Sequence, residues 1–147
     1  MIWIYLSLEA FFALPLFVLD TSGISRFGWT LVLATLAAFA IHLILPSDLG
    51  WPRPLVVKGY PVFERFFSLD RPHNMVPSLH VVYSALVFLV VWSKTRKRLL
   101  RLLAAVWFTL LICSVSLVHQ HHLADTVSGL VLAGLCYRWF QAGRAAA

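Results

Sequence analysis

Acidic side chains are scarce in this chain: six Asp and Glu stand against twelve Lys and Arg, and charged residues fill only 12% of its 147 positions. Soluble domains are about a quarter charged and about half apolar. With 61% hydrophobic residues and a mean hydropathy of +0.84, a soluble domain is excluded, and a lipid bilayer is the solvent that fits. Cysteine is nearly missing as well. Cys113 and Cys136 both lie inside apolar runs, which gives a structural disulfide or a four-ligand metal site little support and leaves them as small core residues. No basic stripe with interleaved stacking aromatics is present, so the net charge of +6 does not point to a nucleic-acid partner. The first hydrophobic run lacks a basic leader and a small-residue cleavage pattern, so no cleavable signal is expected. Internal repeats are absent.

What the chain has instead is long uncharged runs. Residues 1–19, 27–45, 78–92, 99–118 and 123–140 are each apolar enough to be taken as spans, the third being short for a full crossing. A polar turn is expected over residues 20–26 and a long connection over residues 46–77, whose prolines and glycines forbid a spanning helix. The expectation is an all-α, polytopic transmembrane bundle of about five spans, forming a single membrane domain over residues 1–147. Lys94, Arg96, Lys97, Arg98 and Arg101 crowd one short connection, and Arg138 and Arg144 lie near the C-terminal end. Basic connections stay in the cytoplasm. That places the N-terminus, the long connection and the histidine cluster of residues 119–122 together on the non-cytoplasmic face of a multi-pass cell-membrane protein.

Two polar stretches interrupt the apolar pattern. The first is Arg71-Pro72-His73-Asn74-Met75-Val76-Pro77-Ser78-Leu79-His80. Pro77 is placed to start a helix whose first amides, at Ser78, Leu79 and His80, point outward, and such a helix start attracts phosphate. Arg71 adds a planar fork of donors, Ser78 a hydroxyl, and His80 a proton that moves near neutral pH. Asn74 is a further candidate, although an Asn in a Pro-bounded turn commonly bonds its own backbone. The second stretch is His119-Gln120-His121-His122-Leu123-Ala124-Asp125. His121 and Asp125, four residues apart, share a helical face, where the carboxylate can hold one imidazole nitrogen protonated and ready the other as a nucleophile. Elsewhere in the apolar runs, Glu9 is expected to make a buried hydrogen bond and His42 to be a satisfied core or interface residue.

Together the two stretches resemble the type 2 phosphatidic acid phosphatase superfamily of lipid phosphate phosphatases and phosphotransferases, related to vanadium haloperoxidases. The family pattern is Lys-x6-Arg-Pro, then Pro-Ser-Gly-His, then Ser-Arg-x5-His-x3-Asp. Pro77-Ser78-Leu79-His80 matches the second motif with Leu for Gly, a variant similar to the inositol-phosphotransferase branch, and His121-x3-Asp125 matches the end of the third. The resemblance implies that His121 attacks phosphorus, Asp125 orients it, His80 protonates the leaving alkoxide and Ser78 donates to a phosphate oxygen. Arg53-Pro54 and Arg71-Pro72 compete for the first motif, and neither has Lys seven residues ahead. Arg53 and Arg71 are thus alternative phosphate ligands, or else headgroup anchors or partners of Asp48 and Asp70. Val115 stands where the third motif has Arg, with His119 the nearest stand-in.

The function expected is phosphoryl transfer from a membrane lipid phosphate or pyrophosphate through a phosphohistidine intermediate, to water or to an alcohol. No cofactor is required, because Arg, Ser and amide donors carry the charge a metal would otherwise neutralise. The rival readings are a non-catalytic, degenerate family member that binds lipid, and a histidine-based membrane metal or haem protein using His119, His121 and His122.

Overall fold

The structure is a computed structural model that describes residues 1–48, 60–69, 73–118 and 121–145. Among the described residues all regular structure is helical, with one isolated bridge between Asp48 and His73. The chain runs through α1 (Ile2–Leu6), α2 (Leu8–Phe12), α3 (Pro15–Val18), α4 (Thr21–Ile44), α5 (Pro61–Leu69), α6 (Leu79–Lys94), α7 (Arg98–Leu117) and α8 (Leu123–Ala145).

Helix α6 is the axis of the bundle. Val81, Val82, Ser84, Ala85, Leu86, Val87, Val90 and Val91 are all buried, so the helix is covered on nearly every side, as an apolar helix without a polar face must be. Its main partner is α8, which turns Asp125, Gly129, Ala133, Cys136 and Phe140 inward at intervals of three and four residues. Helix α4 packs on α8 and also touches α6, presenting Phe27, Thr30, Ala34 and Ala38, a stripe of mostly small side chains that lets the backbones approach, and Phe27 meets Phe140 edge to face at 6.2 Å. Helix α7 closes the bundle with Ala104, Leu111, Ser114 and Val115, and Phe88 of α6 stacks on its Phe108 at 4.7 Å.

Helices α4 and α7 are long and apolar enough to cross a membrane, while α6 and the first apolar run are shorter. The first run, expected as a span over residues 1–19, is not one unbroken helix. Pro15 has no amide to donate to Phe11, and around it Ala13, Leu14, Leu16 and Phe17 all bond three residues back, which tightens the backbone and separates α2 from α3, while α1 and α2 part at Ser7, whose hydroxyl donates to the Ile4 carbonyl. Glu9 is exposed on the outside of this run, which overturns its expected burial. The polar turn expected over residues 20–26 is also corrected: Asp20 caps α4, so the helix begins at Thr21. Its Oδ1 accepts from the Gly23 amide at 2.7 Å and from the Ser22 hydroxyl at 3.2 Å, and a Cβ on Gly23 would stand 2.7 Å from that oxygen. A side chain there would press on this oxygen and on Leu19, so the cap would have to shift. These bonds hold the Asp20 carboxyl below its ordinary value, the Gly23 amide contributing most. Within the long connection, residues 61–69 form α5, too short to span, with Val62 and Phe63 turned onto Ile2, Tyr5, Val81, Val115 and Val118.

Candidate active site

The site lies where α6 and α8 begin and α4 and α7 end. Helix α6 starts at Leu79 rather than at Pro77, because Ser78 keeps an extended backbone and its Oγ accepts from the Val81 amide at 3.4 Å, the position of an N-cap. Its own amide does not point outward as expected. It donates to the Asp125 carbonyl at 3.2 Å and so ties the start of α6 to the first turn of α8. This contact depends on Gly129, one turn further along α8, where a Cβ would meet the Ser78 carbonyl oxygen at 2.9 Å and Val81 at 3.1 Å.

That approach brings the two motifs together. His121 Nδ1 lies 3.2 Å from Asp125 Oδ2, and both side chains are buried. The same oxygen accepts the His122 amide at 2.9 Å, which fixes the carboxylate from the backbone as well. The His80 ring stands edge-on to the His121 ring, with centroids 5.9 Å apart. Nδ1–H of His121 directed at a carboxylate leaves Nε2 as the nitrogen with the lone pair, the tautomer a nucleophilic imidazole needs.

Of the expected phosphate ligands, Ser78 is fully buried at the cap of α6; with its oxygen accepting from Val81, its hydroxyl proton is what it can donate. Asn74 is exposed, with a left-handed φ of 57° in the turn before Pro77. Arg53, Arg71 and His119 lie outside the described residues. Val115, at the position of the family's arginine, is buried in an apolar cluster with Ile2, Tyr5, Val81 and Val118.

The site contains residues that the motifs did not announce. The Tyr5 hydroxyl lies 3.2 and 3.1 Å from the two ring nitrogens of His80, with the rings in edge contact at 5.3 Å. A tyrosine in an apolar run carries no sequence signal for such a role; only the return of α1 to this end of the bundle places it there. His42 was expected to be satisfied, and its Nε2 lies 3.3 Å from the Pro77 carbonyl oxygen. Ser47 Oγ accepts the amides of Met75 at 2.9 Å and Val76 at 3.1 Å, and the exposed pair Asp48 and His73 meets at 2.6 Å. The last turn of α4 and the residues just after it thus hold the segment that delivers Ser78 and His80.

The fold and the site define a helical bundle with an apolar exterior and a carboxylate-oriented histidine set against a second histidine at one end. The PAP2 superfamily model matches residues 64–139, more than half of the chain, and the chain belongs to that superfamily. Membership carries a phosphatase-type function at the level of the superfamily. The matched stretch contains His80, His121, Asp125 and Arg71, but not Arg53. No curated protein and no solved structure matches the chain.

Proposed function

We propose that the chain is a multi-pass membrane enzyme that transfers the phosphoryl group of a lipid phosphate or pyrophosphate through a phosphohistidine at His121. The observation that carries this reading is the buried His121–Asp125 pair facing His80 across 5.9 Å between ring centroids. Nε2 of His121 forms a bond to phosphorus while the bond from phosphorus to the lipid oxygen breaks, and His80 gives its proton to the departing oxygen. Asp125 keeps Nδ1 protonated and stabilises the charge that the ring acquires. Water, or an alcohol in a transferase, then gives its proton to His80 and attacks phosphorus, which releases His121. The Ser78 hydroxyl and Arg71 or Arg53 donate to the phosphoryl oxygens as charge moves onto them, with Asn74 and His119 as further candidates.

In the bilayer, the first apolar run, α4, α6, α7 and α8 make five spans, with the site on the non-cytoplasmic face and the basic connection after α6 in the cytoplasm. Helix α6 has 16 residues, about 24 Å, short of the roughly 30 Å hydrocarbon core, so the site is recessed and reached by a lipid headgroup drawn inward. The apolar setting of Val115 favours a second reading, a lipid-binding member without turnover. One experiment separates the two. Brief exposure of the reconstituted protein to a lipid phosphate labelled at phosphorus, followed by denaturation, should yield an acid-labile, base-stable phosphoprotein that is missing in His121→Ala. Turnover without such an adduct, or an adduct that survives in His121→Ala, would refute the mechanism; absence of both supports the binding reading.

A further inference from the structure

A groove of about 460 Å³ lies at the opposite end of the bundle, lined by Phe11 and Leu14 from the first apolar run, Val91 from α6, and Leu100, Ala104 and Trp107 from α7. Its volume is within the range of about 300–1,000 Å³ typical of small-ligand sites. Thr95 alone among its lining residues has a polar side chain. Thr95 is also where the groove meets the basic connection. Arg101 is fixed at this rim, with Nε donating to the Thr95 carbonyl at 2.6 Å and its guanidinium 5.4 Å from the centre of the Trp92 ring. Arg96, Lys97 and Arg98 are exposed beside it. Against these cations, the Asp20 carboxylate is near enough to Lys94 for the two charges to be felt. Helix α7 adds to the imbalance, because it starts here without a side-chain cap and without an acidic residue in its first turn. Cations gathered at the positive end of a helix dipole repel one another and the dipole, and an anion at that place relieves both.

We propose that this groove seats an acyl chain of one anionic phospholipid, drawn from the leaflet that bathes the basic connection, with its phosphate held by the loop cations. The inference rests on the reading of the chain as a bilayer protein and is independent of the phosphoryl chemistry. Cations alone would set the orientation of the bundle; their position at the mouth of a carbon-lined groove makes a binding site of it. The rim lies about 20 Å along α6 from His80, so a lipid whose headgroup is held here is a resident and not a substrate in place for reaction.

The test uses Trp107, which lines the groove. The full chain is reconstituted in phosphatidylcholine vesicles containing a minor fraction of phosphatidylglycerol with brominated chains, or the same fraction of brominated phosphatidylcholine, and the Trp107 signal is obtained by difference from Trp107→Phe. Quenching by the anionic lipid should exceed that by the zwitterionic lipid several-fold. Since each cation near the surface is worth about fivefold, the preference should largely vanish in Arg96→Gln with Arg98→Gln, and it should also fall at high salt in the unaltered protein. Equal quenching by the two lipids, in protein that floats with the vesicles, overturns this inference alone. Protein that does not float with the vesicles overturns the bilayer reading together with it.

Discussion

Gly129→Ala asks whether the contact between α6 and α8 is what assembles the site. The new Cβ would stand 2.9 Å from the Ser78 carbonyl oxygen and 3.1 Å from Val81, where ordinary contact begins at 3.4 Å. Both neighbours belong to the buried start of α6, so the helices must part by about half an ångström. The Ser78 amide, already 3.2 Å from the Asp125 carbonyl, would then pass the limit of a useful hydrogen bond. Overpacking of this kind costs about 1–3 kcal/mol, which outweighs the roughly 0.5–1 kcal/mol that Ala gains over Gly inside a helix. A misplacement of about 1 Å can cost about 10²-fold in rate, so half of it, between His80 and His121, should lower kcat by about tenfold or more. Phosphate release from a lipid phosphate by reconstituted protein, read beside a thermal melt, measures both effects. Gly134→Ala is the control, because a Cβ there meets nothing within 4 Å and the change should be neutral or stabilising. A Gly129→Ala protein with the activity and melting temperature of the unaltered chain would refute the claim that this approach builds the site.

Asp125→Asn should lower kcat by about 10²-fold or more, since the amide can present its NH2 to His121 and favour the wrong tautomer; activity near that of the unaltered protein would remove Asp125 from the orienting role. His80→Ala should spare an activated aryl phosphate, whose leaving group departs as an anion, far more than a lipid phosphate, and an unchanged ratio of kcat/KM for the two would leave His80 a ligand only. Tyr5→Phe keeps the ring against His80 and loses one hydroxyl contact worth about 1 kcal/mol; it should lower kcat about fivefold and move the pH profile at little cost in melting temperature, and an unmoved profile would make Tyr5 a packing residue. Because the folded-state pKa of Asp20 is depressed, its cap stabilises α4 above the carboxyl's unfolded value and is lost as pH falls through the folded one. Amide exchange at Gly23, corrected for its intrinsic pH dependence, should therefore lose protection on acidification, and Asp20→Ala should show the reduced protection already at neutral pH.

Composition alone pointed to a bilayer as the solvent of this chain, because few charged side chains are present to cover a surface that faces water. The motifs carried the two histidines, the serine and the aspartate that meet at one end of the bundle. His121 and Asp125 are one helical turn apart, a distance fixed by the helix itself, so their pairing at 3.2 Å was legible before any fold was known. Likewise Ser78 and His80 announced themselves by their place between Pro77 and an apolar run. What local sequence could not carry was any contact that depends on which helices meet. Tyr5 reaches His80 across 75 positions of chain, and nothing near Tyr5 distinguishes it from an interfacial aromatic. Gly129 resembles any small residue in an apolar helix until the Ser78 carbonyl is found against it. The break between α2 and α3 was within reach, since Pro15 was visible, but an apolar run of that length satisfies a spanning pattern whether or not its hydrogen bonds run unbroken. Periodicity and spacing fix groups within one helix; the approach of α8 to the start of α6, which sets one histidine before the other, is a property of packing and was decided only by the tertiary structure.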